Sequence, residues 1–93
     1  MKSWPPKDPH EVLDYGFDWS ARGLLGDKII STSCVVEAGD VAVTAHGLSV
    51  HPNITVTWLS GGTAGSTNRL GLRAVTEQGR TLDETLTILI TPR

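Results

Sequence analysis

Three histidines, a single cysteine, an adjacent acidic pair and one glycine-rich loop are the places where this sequence could do chemistry. Catalysis needs a nucleophile with its base, a pair of carboxylates or a metal, held in a rigid pocket. His10, His46 and His51 show no close pairing of the H-x-H or H-E-x-x-H kind. His46 precedes Gly47 and His51 precedes Pro52, so both read as solvated loop residues rather than ligands. Cys34 lies inside a β-branched run whose nearest preceding cation is Lys28. In that setting a thiol packs as a small buried hydrophobe with a raised pKa, not as a nucleophile. Asp83 and Glu84 are neighbours, so on a strand they point to opposite faces and cannot share a proton. The loop Ser60-Gly61-Gly62-Thr63-Ala64-Gly65 exposes backbone amides as a phosphate loop would, but it lacks the Gly-Lys-Ser/Thr ending and no helical pattern follows. It reads as a connection between strands. No catalytic residue, metal site or cofactor is expected.

What remains is recognition chemistry. Arg69 and Arg73 are four apart, which places them on one strand face with Gly71 between them. That face is either plainly solvated or a patch that accepts carboxylates from a partner. The aromatics are unevenly distributed: Trp4, Tyr15, Phe17 and Trp19 fall in the first nineteen residues and Trp58 alone lies beyond. Tyr15, Phe17 and Trp19 read as core aromatics if they form an edge strand of the domain, and as anchors for a neighbour if the segment leaves it. Phe17 and Trp19 are assigned first to the core, and Trp4 with its prolines to an intermolecular contact. The candidate partner-binding residues are therefore Trp4, Pro5, Pro6, Tyr15, Phe17, Arg69 and Arg73. Trp58 offers the one plausible sugar platform outside this segment, but its alternation with Ile54 and Val56 favours a buried side chain.

The elements that would position these residues are short strands. Pro5, Pro6 and Pro9 force extended backbone, so residues 1–22 read as an extended N-terminal arm. Asp8 can cap a single turn over Pro9 to Val12. From Leu13 to Trp19 the apolar residues recur with a period of two, all aromatics on one face. The stretch from Ser20 to Asp27 is glycine-punctuated and reads as a connection. Further strands are expected at Lys28 to Val36, Val41 to Ala45, Ile54 to Leu59, Thr67 to Thr76 and Leu82 to Ile90, parted by turns at 37–40 and 77–80. On the fourth of these Leu70, Leu72 and Ala74 share one face; on the last, Leu82, Leu86, Ile88 and Ile90 do, with Glu84 interrupting. No helical stripe of useful length is present. The pattern predicts an all-β domain over residues 23–93, a small antiparallel β-sandwich.

Length and charge bound the rest. Ninety-three residues make one small domain, and at that size a chain buries roughly 60–65% of its unfolded surface, close to the margin of independent stability. A net charge of −2 with no basic block removes the electrostatic footprint of a nucleic-acid or anionic-membrane binder. One cysteine excludes an internal disulfide and a four-cysteine zinc site. The opening Met1 to Pro9 has no apolar region of a secretory signal, and no stretch is long and apolar enough to span a bilayer, so synthesis in a cytoplasm is expected. The sequon Asn53-Ile54-Thr55 matters only for a secreted eukaryotic protein.

Two blocks carry a family resemblance. The run from Pro5 to Arg22, with Lys7-Asp8-Pro9, Glu11-Val12-Leu13-Asp14-Tyr15 and Asp18-Trp19-Ser20-Ala21-Arg22, resembles the opening of small proteins encoded among structural genes of tailed bacteriophages. Thr57-Trp58-Leu59-Ser60-Gly61-Gly62-Thr63-Ala64-Gly65 is similar to a second motif of those proteins, and Gly79-Arg80-Thr81 to their penultimate turn. The segment Ala45 to Asn53 departs from the Thr-rich stretch of the family. The family is that of the phage fibre–tail adaptors. The resemblance implies an immunoglobulin-like domain, no enzymatic activity, and a place in the virion, most naturally the tail, joining tail and neck proteins to receptor-binding fibres in a symmetric multi-copy assembly. Capsid decoration, with the domain as a cement protein on the head, is the alternative such a small β-domain also fits.

Overall fold

The computed structural model describes residues 2–51 and 53–92; Met1, Pro52 and Arg93 lie outside the described residues. Among the described residues seven strands follow one another: β1 (Lys2–Ser3), β2 (Leu13–Asp18), β3 (Ile29–Ala38), β4 (Val41–Leu48), β5 (Ile54–Gly61), β6 (Thr67–Thr76) and β7 (Thr81–Leu89). They form a larger sheet in the order β1-β7-β6-β3 and a smaller one in the order β2-β5-β4, packed face to face. All-β character and the two-layer sandwich follow from the period-two patterning, and β6 spans the run that the alternation marks out. The pairings are antiparallel except that β1 runs parallel to β7, setting Lys2 opposite Leu86 and Ser3 opposite Thr87.

The core lies between the sheets. Leu70, Leu72 and Ala74 of β6 and Leu86 and Ile88 of β7 meet Tyr15 and Phe17 of β2 and Leu59 of β5, with Trp19 and Ile90 completing it. Trp19 opens a short 3-10 helix, Trp19–Arg22, that Asp18 caps through the Ser20 amide. Its indole packs edge-on against Phe17, with ring centres 4.8 Å apart. Two buried polar side chains tie loops to this core. Asn68 accepts hydrogen bonds from the amides of Asp40 (2.8 Å) and Val41 (2.9 Å), clamping the β3–β4 turn from beneath. Gly39 in that turn has φ 106° and lies so close to Asn68 that a Cβ would overlap its amide, so glycine is required twice over. Asp27 accepts from the amides of Lys28 (2.9 Å) and Gln78 (3.1 Å) and from Arg80 Nη1 (2.8 Å), tying the loop before β3 to the β6–β7 turn.

The N-terminal segment is where the fold departs from expectation. Residues 1–22 were expected to form an arm separate from a domain at 23–93, with Trp4 available to a neighbour. Instead β2 is a strand of the smaller sheet, and the residues before it run as a strap along the seam between the sheets. The strap is fastened to β7 by hydrogen bonds from Trp4 N to Thr87 O (2.9 Å), Lys7 N to Leu89 O (3.0 Å) and Thr91 N to Lys7 O (2.8 Å). Its side chains reach the other sheet: Trp4 stacks on Tyr15 with centres 5.1 Å apart and donates from Nε1 to Gly16 O at 3.1 Å. The physical reason is stacking area: an indole that covers a tyrosine and satisfies its own N–H loses more by leaving than the extended backbone gains in freedom. Only 8% of Trp4 is exposed.

Lys7 completes the fastening. Its side chain is fully buried, and Nζ donates to Gly61 O (2.6 Å) and Asp8 O (2.8 Å). Burial pulls its pKa below the ordinary lysine value, an effect that the nearby Glu11 and Asp8 charges oppose. The expected turn after Asp8 is present: Glu11 N donates to Asp8 O, while Asp8 N donates to Glu11 Oε1 at 2.9 Å. At the other end of the strap Lys2 (3.1 Å) and Arg22 (2.6 Å) both hold Glu84, the acid that interrupts the inward face of β7.

Two expected outcomes follow. Lys7→Met keeps the stem but leaves two partly buried carbonyls without their donor, and costs about 1–3 kcal/mol in urea unfolding; Trp4→Ala costs about 3 kcal/mol or more by loss of packing. A Trp4→Ala chain as stable as the natural one would restore the free-arm picture. The second concerns acid. Burial pushes the Asp27 carboxyl up, but hydrogen bonds from Thr76, the Gln78 and Lys28 amides and Arg80 outweigh it and hold its pKa below the ordinary 3.8. A depressed folded pKa gives stability that is present above the unfolded value and is lost as pH falls through the folded one. Asp27→Asn therefore lowers the thermal midpoint at neutral pH and flattens its decline below pH 4 (roughly the unfolded carboxylate value), measured by melts from pH 7 to pH 2.

Candidate protein-interaction surfaces

The reactive side chains are occupied structurally. His46 is not a loop residue; it lies on β4, half-buried, with Nδ1 2.7 Å from Thr57 Oγ1 and Nε2 2.9 Å from Thr32 Oγ1. Cys34 also reaches the Thr57 side chain, and burial raises its pKa. Burial lowers that of His46. Both shifts favour the neutral forms, the reverse of the thiolate–imidazolium pair that a cysteine nucleophile requires. His10 and His51 are exposed in turns. Asp83 and Glu84 do point apart: Asp83 lies outward against Arg73, Glu84 inward beneath Lys2 and Arg22. Among the described residues no three His, Cys, Asp or Glu side chains converge on a metal-sized site.

The residues expected to bind a partner separate into two groups. Trp4, Tyr15 and Phe17 are buried and serve the chain's own core, so their rings are not presented to a neighbour by the folded chain. Pro5 and Pro6 are exposed on the strap, where the lack of an N–H costs nothing at a sheet margin. Arg69 and Arg73 lie together on the outer face of the larger sheet, as the spacing predicts, but carboxylates of the same chain engage them. Arg69 Nε is 3.2 Å from Glu37, and Arg73 makes a two-pronged pair with Asp83 at 2.7 and 3.1 Å. Beside Arg73 lies a depression of about 400 Å³ edged by Ser33, Val35, Glu37, Asp83 and Thr85, with the Glu37 carboxylate packed over Gly71. Register also links what the sequence keeps apart: Arg69 faces Thr87 on β7, and Thr87 faces Ser3 on β1, so the strap and the arginine face belong to one continuous surface.

A second face was missed. On β5 the alternation is inverted with respect to expectation: Thr55, Thr57 and Leu59 point into the sandwich, and Ile54, Val56 and Trp58 point out, leaving 41% of Trp58 exposed. The inward threonines are needed where they are. Thr55 Oγ1 accepts from the fully buried Trp19 Nε1 (3.3 Å), and Thr57 Oγ1 meets His46. Alternation reveals that two faces exist but not which one is inside when the polar members are threonines. The signal that would have found it is the pair of non-local partners, an indole and an imidazole that must bond to something once buried.

Comparison with families of known proteins gives one finding. The model of the family described as Podophage GP4 fiber-tail adaptor protein gp77 matches residues 7–89. No curated protein matches the chain. The matched span begins at the buried Lys7 and ends at the last residue of β7, so it takes in every strand but β1, including the inverted strand and the arginine face. It lends no support to capsid decoration. With a match over nearly the whole sandwich, the chain belongs to the podophage fibre–tail adaptor family, whose members are structural components of the phage tail.

Proposed function

We propose that this chain is a non-enzymatic joint of the virion that holds fibres to the tail by protein–protein contacts, made in the host cytoplasm and arranged in several symmetric copies. The observation that carries it is the family match over residues 7–89, which covers every strand of the two sheets except β1. Three features of the molecule support the reading. Burial favours the thiol form of its cysteine, and its half-buried histidine is taken up by hydrogen bonds to Thr32 and Thr57. Its two sheets leave two opposed outer faces of different chemistry, one bearing ion pairs and one bearing an apolar stripe, and an adaptor needs two surfaces that do not overlap. Its strand order supports the immunoglobulin-like reading: lettered A to G along the chain, the strands form sheets B-E-D and A-G-F-C, and that fold likewise separates B, E and D from C, F and G.

In this reading Pro5, Pro6, Arg69 and Arg73 contribute to one contact on the larger sheet and its strap. The arginines can exchange their own carboxylates for a partner's with little change in stability, because exposed pairs are worth at most about 1 kcal/mol. Trp4, Tyr15 and Phe17 act from below, by holding the strap in place. Symmetric repetition multiplies individually weak contacts.

The expected outcome for particles made without the chain is intact tails that lack fibres, counted by electron microscopy; fibres at normal number would remove the adaptor role. Arg69→Ala/Arg73→Ala is expected to fold with its thermal midpoint nearly unchanged while the particles lose fibres or lose the chain itself. Normal composition of those particles would take the arginine face out of the contact.

A further inference from the structure

The outer face of the smaller sheet is built the wrong way round for a domain that stands alone. Its central strand turns Ile54, Val56 and Trp58 outward and keeps threonines inside. Residues two apart on a strand are separated by roughly 6.6–7 Å, so the three form an apolar stripe about 13 Å long. Register places small residues on either side: Val56 lies between Gly16 and Gly47, and Trp58 between Asp14 and Ala45. The result is an apolar ridge with a trough along its β4 side, a depression of about 220 Å³ edged by Ala45, His46, Gly47, Leu48, Val56 and Trp58. Leu48, 48% exposed, extends the apolar rim.

Charge decides what fits. β2, β4 and β5 contain no lysine or arginine, and β2 sets Asp14 beside Trp58 and Asp18 beside Ile54. Among the described residues no salt bridge reaches either acid, Asp18 accepting only from the Ser20 it caps, whereas every described lysine and arginine is already engaged: Lys2 and Arg22 on Glu84, Lys28 on Glu77, Arg69 on Glu37, Arg73 on Asp83, Arg80 on Asp27, and Lys7 on backbone carbonyls. A different protein with a free lysine or arginine complements Asp14 and Asp18 without giving up a pair, whereas a second copy of this chain would first release one of its own described cations. A glycan would want hydrogen-bonding groups all round its aromatic platform, and here they stand on the β2 side alone, as Asp14 and Asp18; Val56, Ala45 and Gly47 offer its hydroxyls no side-chain partner.

We infer that this face docks an extended segment of a partner protein, which lays aliphatic side chains along Trp58, Val56 and Ile54 and sets lysine or arginine against Asp14 and Asp18. The inference rests on the adaptor reading and assigns one of its two contacts. Gly47 supplies a clean way to block the trough. Its φ is not in the left-handed region and a Cβ there meets nothing within 4 Å, so Gly47→Val fits the strand and fills the space a partner would use.

The test is made in particles and with the full chain. Phage are assembled with Trp58→Ser, Gly47→Val or Asp14→Lys, and the amounts of this chain and of the fibre per particle are measured by quantitative mass spectrometry. The expected result is a loss of about tenfold or more in one of the two, since an anchor tryptophan is typically worth that much in affinity. Loss of fibre alone puts the occupant on the fibre; loss of the chain puts it on the tail. In hydroxyl-radical footprinting, oxidation of Trp58 is expected to fall several-fold from the free chain to the particle, a reading that needs no variant to fold. Normal composition in all three variants, or equal oxidation of Trp58 free and assembled, overturns the inference, as does protection of Trp58 by soluble glycans but not by assembly. If particles without the chain still carry fibres, the adaptor reading itself fails; if they lose fibres while the variants keep them, only the docking face does.

Discussion

An ammonium group in a place with no water must find its hydrogen bonds in the protein, and Lys7 finds them in the carbonyls of Gly61 and Asp8. Much of the molecule depends on that constraint. Gly61 closes β5 in the smaller sheet, while the backbone of Lys7 is bonded to residues 89 and 91 at the end of the larger one. One residue thus holds both layers and the segment that bridges them. Burying a charge is expensive unless it is fully bonded, so a partly undocked strap is a poor intermediate, and the seam is either closed or open. Trp4 and Glu84 fasten the same strap further along, the first by stacking on Tyr15 and the second through Lys2. In a small domain without disulfides, such a seam supplies the cooperativity that a larger core would otherwise give.

With the seam closed, the N-terminal aromatics are committed inward, and the proposed adaptor role is left with the two outer sheet faces. These differ in the way a joint between unlike partners requires. The larger sheet offers arginines already held by local carboxylates, a surface that is specific in geometry and reversible in charge. The smaller offers apolar area with an acidic border, where burial itself supplies affinity. They lie on opposite sides of a body whose shortest principal extent is 17 Å, so two partners can sit close together without competing.

Where the sequence was legible, the reason is local. Leu70, Leu72 and Ala74 alternate with charged or small residues, and only one face of β6 can be inside. Leu13, Tyr15 and Phe17 likewise fix the inward face of β2, and the family blocks pointed to the tail-adaptor family that the match over residues 7–89 supports. What stayed hidden depends on partners distant in the chain. Nothing near Lys7 indicates that its ammonium will meet a carbonyl 54 positions later. Asn68 and Asp27 look like surface residues until the turns they clamp are brought over them. The arm at residues 1–22 looked detachable because proline stiffness is visible in sequence, whereas the tyrosine on which Trp4 stacks becomes its neighbour only after β2 has paired with β5.

The inward threonines of β5 have a bearing on how the chain reaches this state. A strand reading Ile-Thr-Val-Thr-Trp-Leu can be entered in two phases, and a slip of one residue would place Ile54, Val56 and Trp58 inside and the threonines in water. Judged by hydrophobic burial alone, the slipped phase is the better one. The observed phase is selected by a few directional bonds, from the Trp19 indole to Thr55 and between His46 and Thr57, together with the strap's grip on Gly61. Those hydroxyls therefore act as register keys: the bonds they make in the finished subunit favour the phase that leaves the tryptophan outside.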